Sequence, residues 1–184
     1  MKQETLQLTT GNNKGNRRAL DFYPTPPEAT IALMDFLNLD FSLIVWEPAC
    51  GDYDMVNIIK RYCPNVIGTD IKYGDDYLST HKKCDVIITN PPFNVSAQFI
   101  AKAVNEADIV AFLLKSQYWH AKKRLALFNK HVPTYVLPLT WRPDFLFKER
   151  QNGKKGAPTM EVTWTVWIKG DAITKYIPLK KPQT

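Results

Sequence analysis

The sequence contains no long apolar run and few cysteines. No stretch reaches the roughly 18 apolar residues that a bilayer span requires, and the amino terminus is polar, without the apolar core of a signal peptide. The three cysteines form no C-x-x-C pair, which argues against a disulfide framework and against a zinc site. We therefore expect a soluble, cytoplasmic protein that holds no metal and keeps its thiols reduced.

Histidine is equally scarce. The three copies are His81, His120 and His131, and none has a carboxylate or nucleophile at a spacing typical of a catalytic group. The sequence therefore predicts no histidine chemistry, although histidine is the side chain most suited to proton transfer near neutral pH.

The chain is long enough for one domain. With 184 residues, 45% of them hydrophobic, it can bury one substantial core. Residues 1–20 are rich in Asn, Gly, Lys and Arg, so we expect a flexible basic tail there. Residues 21–184 are predicted to form the single domain.

The net charge of +6 lies at the two ends of the chain. Residues 1–20 carry +3 and residues 142–184 carry +5, whereas the residues between them carry −2. One polar, glycine-containing stretch between two predicted strands holds Lys148, Arg150, Lys154 and Lys155. Such a loop suits the phosphates of a nucleic acid, and a solvated loop that needs no partner is the alternative.

Helix and strand patterns alternate along the chain. A helix is predicted from Pro27 to Leu39, because proline and Glu28 in the first turn favour a helix start. The predicted strands are 43–47, 65–70, 84–89, 109–114, 135–139 and 162–168, and the other predicted helices are 55–62, 96–106 and 119–129. This alternation predicts an α/β fold with a mostly parallel sheet and helices on both faces.

The motif Asn90-Pro91-Pro92-Phe93 directly follows a predicted strand. Asn90 offers a side-chain carbonyl, Pro91 a backbone carbonyl whose direction the proline ring restricts, and Phe93 a ring for stacking. This combination can hold a planar amine. Two prolines after a strand also serve simply to end it, so the interpretation depends on the residues upstream.

A small-residue turn upstream joins a predicted strand to a predicted helix. Gly51 lets the backbone approach a ligand closely, and the helix N-terminus presents free N–H groups. Asp70 ends the next strand 19 residues later, close to the spacing of about 20 at which an acid reaches ribose hydroxyls in dinucleotide folds. An Asp at a strand end also commonly caps the next turn. Together the residues predict a nucleotide pocket.

With these motifs in order, most of the chain resembles the S-adenosylmethionine-dependent N6-adenine DNA methyltransferases. The matching segments are Tyr23-Pro24-Thr25-Pro26-Pro27-Glu28, Glu47-Pro48-Ala49-Cys50-Gly51, Asp70, Asp76-Tyr77-Leu78 and Asn90-Pro91-Pro92-Phe93. The resemblance implies that the cofactor S-adenosylmethionine is bound by Tyr23, Thr25, Glu47, Ala49, Gly51, Asp70, Asp76 and Tyr77. It implies that the catalytic residues are Asn90, Pro91, Pro92 and Phe93, in the Phe form typical of adenine-N6 enzymes.

The resemblance also carries expectations for fold and activity. It implies a Rossmann-like class I methyltransferase with a seven-stranded sheet whose last strand is antiparallel. The expected reaction is methylation of N6 of a flipped-out adenine in double-stranded DNA, without a metal or a covalent enzyme intermediate. No target-recognition segment follows the core, so loose sequence specificity is expected. A compact enzyme of this kind suits a phage, which would place it in the host cytoplasm.

One residue departs from the family pattern. Tyr53 stands where the family usually has a second glycine, so its side chain must point away from the ligand.

Three other functions stay open. RNA methyltransferases acting on adenine N6 or guanine N2 share the amine-binding motif. So do enzymes that methylate a glutamine amide, although these usually have Tyr at the position of Phe93. A non-catalytic nucleic-acid-binding protein on the same scaffold is the third alternative.

Further aromatic and basic residues lie outside the motifs. The group around Tyr118, Trp119 and His120 could contact a flipped base or a phosphate, or could simply begin a helix. The segment containing Trp141, Arg142, Pro143 and Phe145 could wall the base pocket, although packing in the core is favoured. Trp164 and Trp167 are predicted to be core residues.

Overall fold

The structure is a computed structural model that describes residues 23–149 and 158–183. The helices are α1 (Pro27–Leu37), α2 (Asp54–Ile59), α3 (Ser96–Ala103) and α4 (Leu125–Lys130). The strands are β1 (Val45–Glu47), β2 (Val66–Gly68), β3 (Val86–Thr89), β4 (Ile109–Lys115), β5 (Tyr135–Pro138), β6 (Val162–Ile168) and β7 (Lys175–Tyr176). The predicted amino-terminal tail lies outside the described residues.

The described strands form one seven-stranded sheet in the order β2-β1-β3-β4-β6-β5-β7. β1 pairs in parallel with β2 and β3, and β3 with β4. β6 runs antiparallel to both β4 and β5. The resemblance implied that the last strand is antiparallel, and this expectation is wrong. The antiparallel strand is β6, and the last strand, β7, pairs in parallel with β5. β7 has only two exposed residues and thus no alternating pattern to predict it.

Apolar residues of the sheet alternate between two cores, one on each face. In β4, Ala111 and Leu113 point to the first core, whereas Val110 and Phe112 point to the second. The first core is covered by residues of α1 and α2, and the second by residues of α3. Each fully buried aliphatic or aromatic side chain contributes about 1.5–3 kcal/mol. The predicted arrangement, with helices on both faces of a mostly parallel sheet, is confirmed.

The predicted helix 119–129 is wrong in its first half. Two short 3-10 turns, Tyr118–His120 and Lys122–Arg124, precede α4. The Arg124 guanidinium lies 3.6 Å from the centroid of the Tyr118 ring and donates a hydrogen bond to the Tyr118 carbonyl. In a continuous α-helix this carbonyl would instead accept a backbone hydrogen bond from the amide four residues later. The ring of Trp119 packs edge-on against Phe128 and Trp167, at centroid distances of 5.3 and 6.2 Å.

The carboxyl ends of three neighbouring parallel strands carry the sequence motifs. β1 ends at Glu47, β2 ends two residues before Asp70, and β3 ends directly before Asn90. Because β1 pairs in parallel with both of its neighbours, these three residues lie at the same edge of the sheet.

Candidate active site

Hydrogen bonds join the turn after β1 to the turn after β2. The Cys50 amide donates to the Thr69 carbonyl at 3.0 Å, and the Gly51 amide donates to Oδ2 of Asp70 at 2.9 Å. Gly51 has φ 51°, in the left-handed region that glycine tolerates. Oδ1 of Asp70 accepts from the Lys72 amide at 2.8 Å, so this carboxylate shapes both turns. Asp70 therefore caps the following turn. The ribose contact that the resemblance implies stays a prediction.

Tyr53 also adopts a left-handed backbone, with φ 66°. Its ring packs against the ring of Tyr73, with centroids 5.7 Å apart. It also covers Gly68, where an added Cβ would lie 2.9 Å from the Tyr53 ring. The Tyr53 backbone thus takes the conformation that a glycine would supply, and its side chain packs outside the cavity described next.

A cavity of about 730 Å³ opens at the carboxyl ends of β1, β2 and β3. Its volume falls within the range of about 300–1,000 Å³ that is typical of small-molecule sites. We call it the first cavity. It is lined by all the residues to which the resemblance assigned a cofactor or catalytic role: Tyr23, Thr25, Glu47, Ala49, Gly51, Asp70, Asp76, Tyr77, Asn90, Pro91, Pro92 and Phe93. The roles of the individual residues stay predictions.

Acidic side chains dominate the charge of the first cavity. Its lining carboxyl groups are Glu47, Asp52, Asp54, Asp70 and Asp76. Two of these are paired with lysines, Asp52 with Lys72 at 2.6 Å and Asp54 with Lys148 at 2.5 Å. Of the other three, Asp70 and Asp76 favour a ligand with positive charge.

Glu47 is buried at the bottom of this acidic group. Its Oε1 accepts hydrogen bonds from the Thr89 hydroxyl at 2.5 Å and from the Ala49 amide at 3.1 Å. Its Oε2 is also buried and has no donor among the described residues. Burial, with a smaller contribution from the charge of Asp70, raises the pKa of Glu47 to about 8 against the lowering effect of the two hydrogen bonds. A cationic ligand near Oε2 would stabilise the charged form.

The amide group of Asn90 is held in one orientation. Its Nδ2 donates to Oγ1 of Thr25 at 3.1 Å and to the Tyr23 carbonyl at 3.4 Å. Because a backbone carbonyl can only accept, the atom facing it must be the amide nitrogen. The side-chain carbonyl of Asn90 receives no hydrogen bond from the described part of the chain, and it is thus available as an acceptor for a ligand.

The ring of Phe93 is bracketed by two side chains at the mouth of the first cavity. It stacks on Tyr23 with centroids 5.9 Å apart and an interplanar angle of 27°. Nζ of Lys115 lies 4.4 Å from the centroid of the Phe93 ring, a cation–π distance. Sequence reasoning missed Lys115, although a lysine at the end of the apolar strand 109–114 was the available signal.

Tyr77 is held in place by packing and by a hydrogen bond. It is 1% exposed, and its ring packs against Trp46 and Phe99 with centroids 5.0 and 4.6 Å away. Its hydroxyl donates to Oε2 of Glu106 at 3.2 Å. Although burial opposes it, hydrogen bonds from Lys102 and His81 hold the pKa of Glu106 below its ordinary value. Sequence reasoning did not predict Glu106 as a partner of Tyr77.

The predicted phosphate-binding loop is only partly described. Arg150, Lys154 and Lys155 lie outside the described residues. Lys148 belongs to a 3-10 turn, Phe147–Glu149, and forms its ion pair with Asp54 at the edge of the first cavity. Within the structure, Lys148 therefore contacts an acidic residue of the first cavity, and its contact with phosphate stays a prediction.

The remaining aromatic candidates divide into core and surface. Phe145, Trp164 and Trp167 are buried, and the prediction that the two tryptophans belong to the core is confirmed. Trp119, His120, Trp141 and Arg142 line a further cavity beside the first one. The buried indole N–H of Trp141 has no acceptor among the described residues.

The described ranges, 23–149 and 158–183, contain neither a metal-binding cluster nor a membrane-spanning helix. No group of three or more His, Cys, Asp or Glu side chains is placed to hold a metal ion. No helix in these ranges combines the length and the apolar character needed to cross a membrane.

Comparison with known proteins defines the fold. No protein-family model and no curated protein matches the sequence. Among solved structures, the chain is similar to a protein from Listeria monocytogenes assigned as a class I S-adenosylmethionine-dependent methyltransferase. The TM-score is 0.59 at 13% identity, over 99% of this chain and 72% of that chain. The predicted Rossmann-like class I methyltransferase fold is thereby confirmed.

Two further structures share this fold. A protein from Pyrococcus horikoshii assigned as an RNA methyltransferase has a TM-score of 0.55 at 16% identity, over 91% of this chain and 97% of its own. The methyltransferase subunit of a type I restriction-modification system from Streptococcus thermophilus has a TM-score of 0.60 at 13% identity, over 88% of this chain. The match spans about half of that subunit, 48%. At these identities the similarity is one of fold.

Proposed function

We propose that this protein transfers a methyl group from S-adenosylmethionine to the N6 amino group of adenine in DNA. The observation that carries the proposal is the fixed amide of Asn90. Its nitrogen is held by Tyr23 and Thr25, and its carbonyl oxygen remains available where Pro91 and Phe93 also line the first cavity. An exocyclic amine, with two hydrogens to donate, is the group that fits two such carbonyls.

The first cavity fits S-adenosylmethionine in size and charge. When bound, this cofactor supplies a methyl group on a positively charged sulfur. Glu47 has a buried oxygen without a donor, which suits the positive charge of the ligand. Asp70 and Tyr77 would hold the nucleoside end, as the resemblance implies. Both line the cavity and are fixed by hydrogen bonds of their own.

The protein contributes mainly by positioning the acceptor. Asn90 and the Pro91 carbonyl accept the two N6 hydrogens, which draws the nitrogen lone pair out of conjugation with the ring and directs it toward the methyl donor. Phe93 stacks on the base. Because Tyr23 and Lys115 bracket the Phe93 ring in this structure, we expect at least one of them to shift when the base enters. The methylated amine then loses a proton to water or to Asn90.

The choice of DNA rests on the Phe form of the motif, which resembles adenine-N6 enzymes of DNA. In a duplex the adenine must be flipped out, at a cost of a few kcal/mol. We expect low sequence specificity and action on double-stranded DNA. The basic residues Lys148, Arg150, Lys154 and Lys155 are proposed to contact its phosphates.

Transfer of a labelled methyl group tests the proposal. Purified protein is incubated with labelled S-adenosylmethionine and, separately, with duplex DNA, with RNA and with a release factor, the substrate expected for glutamine-amide methylation. We expect incorporation into DNA. Asn90→Ala should abolish it while leaving cofactor affinity, measured calorimetrically, within a few-fold. Asn57→Ala, an exposed asparagine outside the cavity, is the matched control. Normal turnover by Asn90→Ala would refute the assignment.

Two alternatives have distinct outcomes in the same experiment. Incorporation into RNA alone would indicate an RNA methyltransferase acting on adenine N6 or guanine N2. A protein that binds DNA but gives no calorimetric signal with S-adenosylmethionine would be a non-catalytic nucleic-acid-binding protein. The outward packing of the Tyr53 ring argues against this second alternative, because it leaves the first cavity open.

A further inference from the structure

A second cavity, of about 960 Å³, lies beside the first. It is formed by the end of β4, by β5 and β6, and by the 3-10 turn at Trp119. The two cavities share no lining residue among those described. They meet at Lys115, which lines the second cavity and places its ammonium group 4.4 Å from the centroid of the Phe93 ring.

Aromatic rings form a large part of the lining of the second cavity. Four aromatic rings contribute, those of Trp119, Phe128, Trp141 and Tyr176. Tyr176 is 69% exposed and stands on the edge strand β7, so its ring is accessible. Aromatic rings that solvent can reach are platforms on which nucleobases stack, with little dependence on base identity.

The charges of the second cavity are opposite to those of the first. Its charged side chains are Lys115, Arg142 and Glu161, two positive and one negative, and Arg142 forms an ion pair with Glu161 at an N–O distance of 2.6 Å. Hydroxyl groups of Ser116 and Thr163, 3.1 Å apart, add donors on the β4 and β6 side. Cations and hydroxyl donors beside aromatic rings match a ligand that has both a flat base and a phosphate.

We propose that the second cavity binds the nucleotide next to the methylated adenine in the same DNA strand. This inference rests on the proposed function. Because none of Asn90, Pro91, Pro92 and Phe93 lines the second cavity, a base held there is not the base that receives the methyl group. Its ring stacks on the aromatic side chains, and Lys115, at the boundary of the two cavities, faces the phosphate that joins the two nucleotides.

Binding of a short DNA strand to two matched pairs of variants tests this site. The probe is a fluorescent single-stranded DNA oligonucleotide with one adenine, and its affinity is measured by anisotropy. Tyr176→Ala removes an exposed ring from the second cavity, whereas Phe41→Ala removes a similarly exposed ring, 66% exposed, outside both cavities. Stacking of one base predicts a loss of roughly 5- to 100-fold for Tyr176→Ala only.

The second pair tests the charge. Arg142→Gln removes a cation that is paired with Glu161, and Lys169→Gln removes a cation in a comparable exposed pair with Asp108, at 3.0 Å and outside both cavities. Log affinity falls as log salt rises, and Arg142→Gln should make this slope shallower by about 0.7. Lys169→Gln should leave the slope unchanged. All four side chains are at the surface, so we expect each variant to fold.

The outcomes separate this inference from the proposed function. Unchanged affinity and salt slope in both Tyr176→Ala and Arg142→Gln would overturn the second-cavity site, even if the wild-type protein methylates adenine. Loss of affinity in these variants, with normal cofactor binding and a raised KM for DNA, would support it. Absence of methyl transfer by the wild-type protein would defeat the proposed function, whatever the binding data show.

Discussion

The two cavities differ in charge and in construction. The charged side chains that line the first cavity are mostly carboxylic acids, whereas the lining of the second combines aromatic rings and hydroxyl groups with Lys115 and an Arg142–Glu161 ion pair. Lys115 of the second cavity contacts Phe93 of the first, at 4.4 Å from ammonium to ring centroid. The difference suggests how one small domain can hold a cationic methyl donor beside an anionic strand, because each ligand meets the opposite charge.

The construction of the two cavities differs as well. The first is built from turns that follow parallel strands and are joined by hydrogen bonds, as from the Gly51 amide to the Asp70 carboxylate. The second includes the exposed edge strand β7 and the 3-10 turn at Trp119. Exposed elements with few buried contacts open locally at lower free energy. We therefore expect the first cavity to be preorganised and the second to adapt to its ligand.

The largest expected effect comes from Asp70, which accepts hydrogen bonds from both turns of the first cavity. Asp70→Ala removes the acceptor for the amides of Gly51 and Lys72, and we expect cofactor affinity to fall roughly 100-fold, since charge-assisted hydrogen bonds contribute about 1.5–3 kcal/mol each. Calorimetric titration with S-adenosylmethionine measures it. Asp75→Ala, outside both cavities, is the control. An affinity within twofold of wild type would show that Asp70 does not shape the site.

The next effect tests the acidic character of the first cavity through pH. Without a ligand the pKa of Glu47 is raised to about 8, so below this pH the side chain carries a proton. A cationic ligand that pairs with the charged carboxylate must displace this proton when it binds. We expect cofactor affinity to rise between pH 6 and pH 8 by up to about tenfold per pH unit, and then to level. In Glu47→Gln the profile should be flat and the affinity at pH 8 lower. Glu28→Gln should keep the wild-type profile, and a flat wild-type profile would contradict the assignment.

The same residue predicts a pH dependence of stability. The folded state keeps the Glu47 proton up to about pH 8, whereas the unfolded chain loses it near the ordinary value of 4.5. Between these values the folded state binds more protons, so this group lowers the free energy of unfolding as pH rises. Denaturant titrations at pH 5 and pH 8 should show a smaller fall in Glu47→Gln than in the wild type. An equal fall in both proteins would show that Glu47 does not cause the pH dependence of the free energy of unfolding.

A smaller effect is expected at the boundary. Lys115→Gln should weaken binding of duplex DNA about tenfold or less and lower the salt slope by about 0.9, because one phosphate contact is lost. Cofactor affinity should not change, since Lys115 does not line the first cavity. Lys130→Gln, at the end of α4 and in neither cavity, is the control. Loss of cofactor affinity in Lys115→Gln would mean that the two cavities are not separate.

The smallest effect is expected at Tyr53. Tyr53→Gly relieves a left-handed backbone but loses packing against Tyr73 and Gly68, so the free energy of unfolding should change by only about 1 kcal/mol. Cofactor affinity should stay within twofold, because the ring lies outside the first cavity. Asn38→Gly, the other left-handed residue in the described ranges that is not a glycine, is the control for backbone strain. A large gain in cofactor affinity would show that Tyr53 obstructs the site.

Sequence reasoning could reach the first cavity because its parts are local. A turn after one parallel strand, an acid after the next and a motif after the third meet at one edge whenever the strands are neighbours. The order of the motifs was therefore enough to place Gly51, Asp70 and Asn90 together. The hydrogen bonds of Asp70 to both turns follow from the same proximity.

The second cavity could not be predicted in this way. It depends on the long-range antiparallel pairing of β6 with β4 and β5, and on the short edge strand β7, which has no periodic pattern. The predicted helix 119–129 was wrong at its start because Arg124 binds the Tyr118 carbonyl and Trp119 packs into tertiary contacts. Tertiary contacts of this kind override local propensity.

The most direct test identifies the product. DNA treated with the protein and S-adenosylmethionine is digested to nucleosides, and the methylated nucleosides are measured by mass spectrometry. The account predicts N6-methyladenine in DNA treated with the wild-type protein and none with Asn90→Ala. Methylation at any other position, or equal N6-methyladenine from both proteins, would contradict it.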